Sequence, residues 1–267
     1  MINLTKLLNE AINGPKAIIL AGAPGAGKGY ILRGLDLGGL KVMNVDDIYI
    51  QNLKKANVSL DLKNSTPEER SKSAKAMAAA VKDFRGDIAD TIEGKQSFIL
   101  DGTGASYNQT VKLKSELEEA GYNVFMLYVY TDLERSLKQN QNRFEKSGGK
   151  DRSLAPAIVM RTWLDVTKNY KPYSNLFDEN NFALVANTLE GDKLENLEDI
   201  VDKYLTPFKP TGTKPKTPAQ QKRSDERKAK ESEEIKSLLD NKFVDDIVSN
   251  SLSKEEAQMR IEKFLTR

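Results

Sequence analysis

The stretch with the clearest chemistry is Gly22-Ala23-Pro24-Gly25-Ala26-Gly27-Lys28, followed by Gly29 and Tyr30. Gly22 to Lys28 fits the spacing GxxxxGK. Glycines let successive backbone N–H groups turn inward and form a concave cradle for phosphate oxygens. A helix starting at such a loop adds its partial positive charge, and Lys28 is placed to reach the outer phosphates. The residue after the lysine is usually Ser or Thr, whose hydroxyl ligates Mg²⁺. Here it is Gly29, so a metal would be held mostly through water and carboxylates. A plain Gly-rich turn is the competing reading, and the flanks decide against it. The apolar run Ala17–Ala21 precedes the loop and a helical pattern, Lys28–Leu35, follows it.

Two carboxylates and two arginines could complete a reaction centre. Asp46 follows the apolar run Leu40–Val45, and Asp101 follows Phe98–Leu100. Both would sit at the carboxyl ends of strands, where open α/β sheets bind ligands. There Asp46 can accept a proton from a hydroxyl, and Asp101 can bind Mg²⁺ through water. Arg143 and Arg152, on either side of a Gly-rich turn, could neutralise phosphate charge. Each has a plainer reading. Asp46-Asp47 suits a helix N-cap, Asp101-Gly102 suits a turn, and the arginines could be solvated surface charges. Trp163 shares a helical pattern with Ile158, Val159, Leu164 and Val166, and reads as core rather than as a stacking platform.

Composition narrows the classes. There is no Cys and no His among 267 residues, which excludes thiolate or imidazole zinc sites and any His base. Lys+Arg 41 against Asp+Glu 39 gives no electrostatic case for a nucleic-acid partner. No apolar run approaches the ~18 residues of a membrane span. Met1–Gly14 reads as a short amphipathic helix and not as a signal peptide. Absence of Cys suits a reducing cytoplasm.

The elements that must position these residues alternate. Strands are expected at Ala17–Ala21, Leu40–Val45, Phe98–Leu100, Val124–Tyr130 and Phe182–Ala186. Helices are expected at Lys28–Leu35, Pro67–Glu93, Asn108–Ala120, Asp132–Lys146 and Ala155–Asn169. Such alternation implies a parallel sheet with helices on both faces, an α/β fold in three layers. Within Pro67–Glu93, helical spacing puts Ala76, Ala80 and Phe84 inward. The expected domain spans 1–205. A Pro/Lys-rich linker and polar segment follow over 206–234, with Pro207, Pro210, Pro215 and Pro218 close together. Gln220–Glu234 within it suits either a solvated helix or disorder. Residues 235–267 recover helical periodicity as a small C-terminal hairpin, with Ser253 and Glu256 as a capping box. Its apolar faces, with Leu239, Phe243, Ile247 and Phe264, are too small to stand alone. They must pack on the main domain, a second copy or another protein; a protein partner or self-association is the expectation.

The loop string GAPGAGKG resembles that of adenylate kinases, which also carry Gly after the Lys and then Thr; Tyr30 replaces that Thr. Asp101-Gly102-Thr103-Gly104 lacks the arginine that follows in adenylate kinases, which disfavours that activity. The wider pattern resembles the zeta-toxin and polynucleotide-kinase group of P-loop kinases over roughly 15–187. Asn44-Val45-Asp46-Asp47 looks like that group's catalytic Asp segment, Asp101-Gly102-Thr103 like its Asp-Gly-Thr, and Arg143 and Arg152 like its lid arginines. Gln139 departs from an Arg-rich lid. The resemblance implies a P-loop NTPase fold, ATP and Mg²⁺ as cofactors, and γ-phosphoryl transfer to a small acceptor of the nucleotide or nucleotide-sugar class. It also implies that the segment after the second strand, Lys55–Glu93, helps bind the acceptor. The alternative is a nucleotide-binding structural or regulatory protein that uses the fold as a platform and 235–267 to attach to a partner. An end-healing polynucleotide kinase would need a basic groove that the charge balance does not supply.

Overall fold

The structure is a computed structural model and describes residues 14–37, 39–62, 64–148, 151–152, 154–188, 201, 217–239 and 242–267. Its elements in chain order are β1 (Lys16–Ala21), α1 (Lys28–Arg33), β2 (Lys41–Met43), α2 (Val45–Lys55), α3 (Pro67–Glu93), β3 (Phe98–Asp101), α4 (Tyr107–Glu119), β4 (Asn123–Tyr130), α5 (Leu133–Lys146), α6 (Pro156–Leu176), β5 (Phe182–Ala186), α7 (Pro218–Leu239), α8 (Lys242–Ser249) and α9 (Lys254–Leu265). The expected N-terminal helix lies almost wholly outside the described residues. No described helix is long and apolar enough to cross a membrane.

The five strands form one sheet in the order β2-β3-β1-β4-β5, and every pairing is parallel. β1 and β4 are buried on both faces, which is why they read as unbroken apolar runs. Register sets the site. Leu20 pairs with Asp101 and Met43 pairs with Leu100. The carboxyl ends of β1, β3 and β2 therefore lie side by side, and deliver Gly22, Asp101 and Asn44 to one edge.

Alternate residues of β1 define two cores. Ala17, Ile19 and Ala21 face Leu117 of α4, Val166, Tyr170 and Tyr173 of α6 and Ile247 of α8, with Phe84 of α3 against them. Ile18 and Leu20 face Ile31 of α1 and Ala257, Ile261 and Phe264 of α9. Ala76 and Ala80 do turn inward, but against Tyr49 and Leu53 of α2, so that α2 and α3 form a packed pair beside the sheet.

Three expectations are corrected. The strand expected over Leu40–Val45 is shorter: β2 stops at Met43, and Val45 opens α2. Asn44, not Asp46 or Asp47, is the N-cap, its Oδ1 accepting from the Asp46 amide at 2.8 Å. The apolar faces of 235–267 are not kept for a partner or self-association. Ile235 packs with Trp163 and Met160, Ile247 with the first core, and Phe264 with Phe125 at 5.1 Å between ring centroids. Burial on the sheet is the direct way to cover faces that small. Met259 of α9 is exposed. Of the linker, Pro207, Pro210 and Pro215 lie outside the described residues, whereas Pro218 opens α7 and the polar run Gln220–Glu234 is helical throughout. Arg161–Glu231 and Lys168–Glu234 ion pairs tie α7 to α6.

Candidate active site

The loop between β1 and α1 is shaped by its glycines. Gly25 and Gly27 both adopt φ 80°, a left-handed conformation costly for other residues. A Cβ on Gly25 would stand 2.6 Å from the Ser136 carbonyl, and one on Gly27 2.3 Å from Asn187 Nδ2. The close approaches are braces. Ser136 Oγ donates to the Pro24 carbonyl, Asn187 Nδ2 donates to the Ala26 carbonyl at 2.7 Å, and the Gly22 amide donates to the Thr103 carbonyl at 2.9 Å. A pre-shaped, backbone-lined concavity of this kind fits phosphate oxygens.

Lys28 folds back over the loop and donates to the Gly22 carbonyl at 3.0 Å. Its ammonium is 3.9 Å from Asp101 Oδ1. Burial lowers the Lys28 pKa; the charges of Asp101 and Asp46 oppose that and those of Arg143 and Arg152 add to it. Asp101 is pushed the other way: burial raises its pKa, against Lys28 and a hydrogen bond from Asn44, while Asp46 and Asp47 raise it further. The charges of Asp46, Asp47, Arg143 and Arg152 thus all bear on this one pair.

Asn44 joins the two carboxylates. Its Nδ2 donates to Asp101 Oδ2 at 2.8 Å while its Oδ1 caps α2 and fixes the Asp46 backbone. Asp101 Oδ1 is left buried and without a hydrogen bond. A buried carboxylate oxygen with spare lone pairs beside the phosphate loop fits a water-bound Mg²⁺. No group of three or more acidic side chains that could hold a metal ion directly occurs among the described residues.

Asp46 and Asp47 lie in the first turn of α2, where negative charge is favourable. Asp46 Oδ2 accepts a charge-assisted hydrogen bond from Arg152 Nη2. The Arg152 guanidinium also lies 5.6 Å from the centre of the Tyr49 ring, whose hydroxyl shares a 2.5 Å hydrogen bond with Ser73 of α3. Arg143 is the more exposed, its side chain 50% accessible against 13% for Arg152, and is paired with Asp151. The Arg152 amide donates to the same Asp151 carboxylate at 2.8 Å. Asn140 closes the turn by bonding both backbone groups of Leu154.

The structure therefore gathers Lys28, Asp46, Asp101 and Arg152 at one edge, with Arg143 behind Asp151. Tyr30, two residues beyond Lys28, makes no contact with the two carboxylates: its ring is exposed and lies beneath the Lys254 ammonium. Trp163 is core, donating Nε1–H to the Thr131 carbonyl at 2.8 Å. Sequence reasoning missed Asn44, Asp151, Asn140 and Tyr49. It also missed Asn169 and Tyr173 of α6, which donate to the carbonyls of Gly104 and Ala105 and steady the loop after β3. Of these only Asn44 carried a local signal, an N-cap type directly before a helix.

The Zeta toxin family model matches residues 3–172. Among solved structures, the native AvrRxo1-ORF1:ORF2 complex is 16% identical, covering 88% of this chain and 79% of that one, with TM-score 0.50. The same pair with ATP is 15% identical over 98% and 85%, TM-score 0.49. The PezAT chromosomal toxin–antitoxin system of Streptococcus pneumoniae is 16% identical over 88% and 94%, TM-score 0.46. Among proteins of curated function none matches the sequence.

Proposed function

The chain belongs to the Zeta toxin family and is a P-loop phosphotransferase; from that premise we propose that it transfers the γ-phosphoryl group of ATP to a hydroxyl of a small acceptor of the nucleotide or nucleotide-sugar class. The observation that carries this is that Asn44 ties Asp101, beside the loop lysine, to the first turn of α2, where Asp46 meets Arg152. A cradle alone binds phosphate; a carboxylate opposite it gives a transferred group somewhere to go.

Phosphoryl transfer asks chiefly for positioning and charge neutralisation. The loop amides and Lys28 hold the outer phosphates. The acceptor hydroxyl hydrogen-bonds Asp46, its oxygen bonds to the γ-phosphorus, the bond from that phosphorus to the β-γ bridging oxygen breaks, and the hydroxyl proton goes to Asp46. Arg152 and Arg143 neutralise the phosphoryl oxygens from the lid. For this Arg152 must release Asp46 to the acceptor. Asp101 would hold Mg²⁺ through water, and the ion, when bound, neutralises charge on the phosphate oxygens. The α2–α3 pair walls the acceptor side, with Tyr49 and Ser73 nearest to Arg152. A cytoplasmic place is part of the proposal, as is a protein partner, which the AvrRxo1-ORF1:ORF2 complex supports; that partner would dock away from the covered faces of α8 and α9.

The Asp46–Arg152 pair and the missing hydroxyl at Gly29 favour a second reading, a nucleotide-binding regulatory protein without turnover. ADP formation with a panel of nucleosides, nucleotides and nucleotide sugars separates the two. The kinase reading expects acceptor-dependent ADP that is lost in Asp46→Asn while ATP still binds. ATP binding with no turnover on any acceptor would favour the second reading.

A further inference from the structure

Tyr30 is two residues beyond Lys28, in the first turn of α1, yet its side chain is 56% exposed. Lone exposed aromatics need no explanation, but this one is held. The Lys254 ammonium sits over its ring, 4.0 Å from the centroid. Lys254 is the first residue of α9, and α9 is fixed beside α1 by several anchors. Gln258 accepts from the Asp36 amide at 2.8 Å and donates to the Asp36 carbonyl at 3.0 Å. Arg260 donates to the Phe182 carbonyl at 2.9 Å, and the Leu252 amide to the Leu184 carbonyl at 2.8 Å.

A second cation acts on this corner. Lys254, and more weakly the Arg135 guanidinium, holds the Tyr30 hydroxyl below the usual phenol range. Arg135 donates through Nη1 to the Thr188 carbonyl, just past β5, while its Nε is buried and makes no hydrogen bond. Side chains on a helix lean toward its N-terminus, so the Tyr30 ring lies over the loop end of α1. One ring face is covered by the ammonium, and the Arg135–Thr188 contact adjoins Ser136 and Asn187, which brace Pro24 and Ala26, so this corner borders the phosphate loop. A flat, electron-rich ligand attached to a polyphosphate matches that corner, because stacking tolerates any aromatic base and a held ring loses little freedom on binding.

We propose that Tyr30, held by Lys254, is the stacking platform for the base of the bound nucleotide, so that the C-terminal helix α9 is part of the nucleotide site. This rests on the phosphate-loop reading of Gly22–Lys28. It lies outside the family match in part, since α9 is beyond residue 172.

The test compares ATP with inorganic tripolyphosphate, which offers the phosphates without a base. Binding of each to the full-length protein is measured by calorimetry for wild type, Tyr30→Ala, Tyr30→Phe, Lys254→Ala and Lys28→Ala, with ligand-free thermal unfolding as the check on folding. Loss of one base stack is expected to weaken ATP about 5- to 150-fold in Tyr30→Ala, with tripolyphosphate unchanged. Tyr30→Phe keeps a ring and recovers most of that loss. Lys254→Ala weakens ATP about 2- to 5-fold, again without effect on tripolyphosphate. Wild-type ATP affinity in Tyr30→Ala overturns the proposal, and so does an equal loss for both ligands, which would put Tyr30 in the phosphate cradle. Lys28→Ala separates the failures: if it leaves both affinities unchanged, the phosphate-loop reading itself falls.

Discussion

Phe264→Ala tests whether the last helix belongs to the fold that carries the site. The ring is 2% exposed and packs on Phe125 of β4, with the Lys16 ammonium 5.4 Å over it. It shares a core with Ile18 and Leu20, the strand residues that lead into the phosphate loop. Truncating a buried Phe to Ala removes transfer free energy and leaves a cavity, about 3–5 kcal/mol together. For a chain of this size 1 kcal/mol shifts the midpoint by roughly 2–4 °C, so the loss should be roughly 6–20 °C. Differential scanning calorimetry gives the number. Met259→Ala, on the exposed side of the same helix, is the control and should stay within about 0.5 kcal/mol of wild type. A shift of less than about 2 °C in Phe264→Ala would refute the reasoning, because it would mean that α9 does not cover β1 and β4 in solution.

Asn44→Ala removes a hydrogen bond to a buried carboxylate and a helix cap, and should cost roughly 2–4 kcal/mol by urea unfolding, with turnover falling alongside. Asp46→Asn should cut kcat by at least about 100-fold and leave the ATP dissociation constant within about threefold, read by rapid-quench kinetics and calorimetry. Chelator in excess should abolish turnover, and Mg²⁺ should restore it; full activity with chelator present would remove Asp101 from the mechanism. The acid limb of kcat/KM should lie above the ordinary Asp range near about 3.9, because burial raises the Asp101 pKa and its ionised form is lost sooner as pH falls; a limb at or below that value would count against its role.

Much of the fold was legible because its signals are local. β1 and β4 are covered on both faces, so their residues had to be apolar without alternation. α3 announces its start with Pro67 and the Thr66–Glu69 capping box. α2 was lost because Val45, Ile48, Tyr49 and Ile50 are β-branched or aromatic, and intrinsic preference argues for a strand there; packing of Tyr49 and Leu53 on α3 overrides it. Asn and Asp are equally good caps, so choosing Asn44 over Asp46 required Asp101, 57 residues away. The Asp46–Arg152 contact spans 106 positions and leaves no trace in either neighbourhood. For 235–267 the periodicity showed that a face would be buried, but periodicity carries no information about what buries it.

These long-range contacts give the site its logic. From Lys28 the line runs to Asp101, through the two ends of the Asn44 amide to Asp46, then to Arg152 and, by way of Asp151, to Arg143. Lys28, Asp101, Asn44, Asp46, Arg152, Asp151 and Arg143 are thus one connected polar network, not separate groups. Each link charges or orients the next, so moving one member changes what its neighbours can hold. While Arg152 donates to Asp46, the Oδ2 of that carboxylate and the Nη2 of that guanidinium are turned to each other and away from an acceptor or a phosphoryl group. An acceptor hydroxyl that takes its place at Asp46 therefore also frees the arginine that the transfer needs. Under the kinase reading, acceptor binding and lid engagement become a single event, and ATP without an acceptor meets a centre whose base is already satisfied.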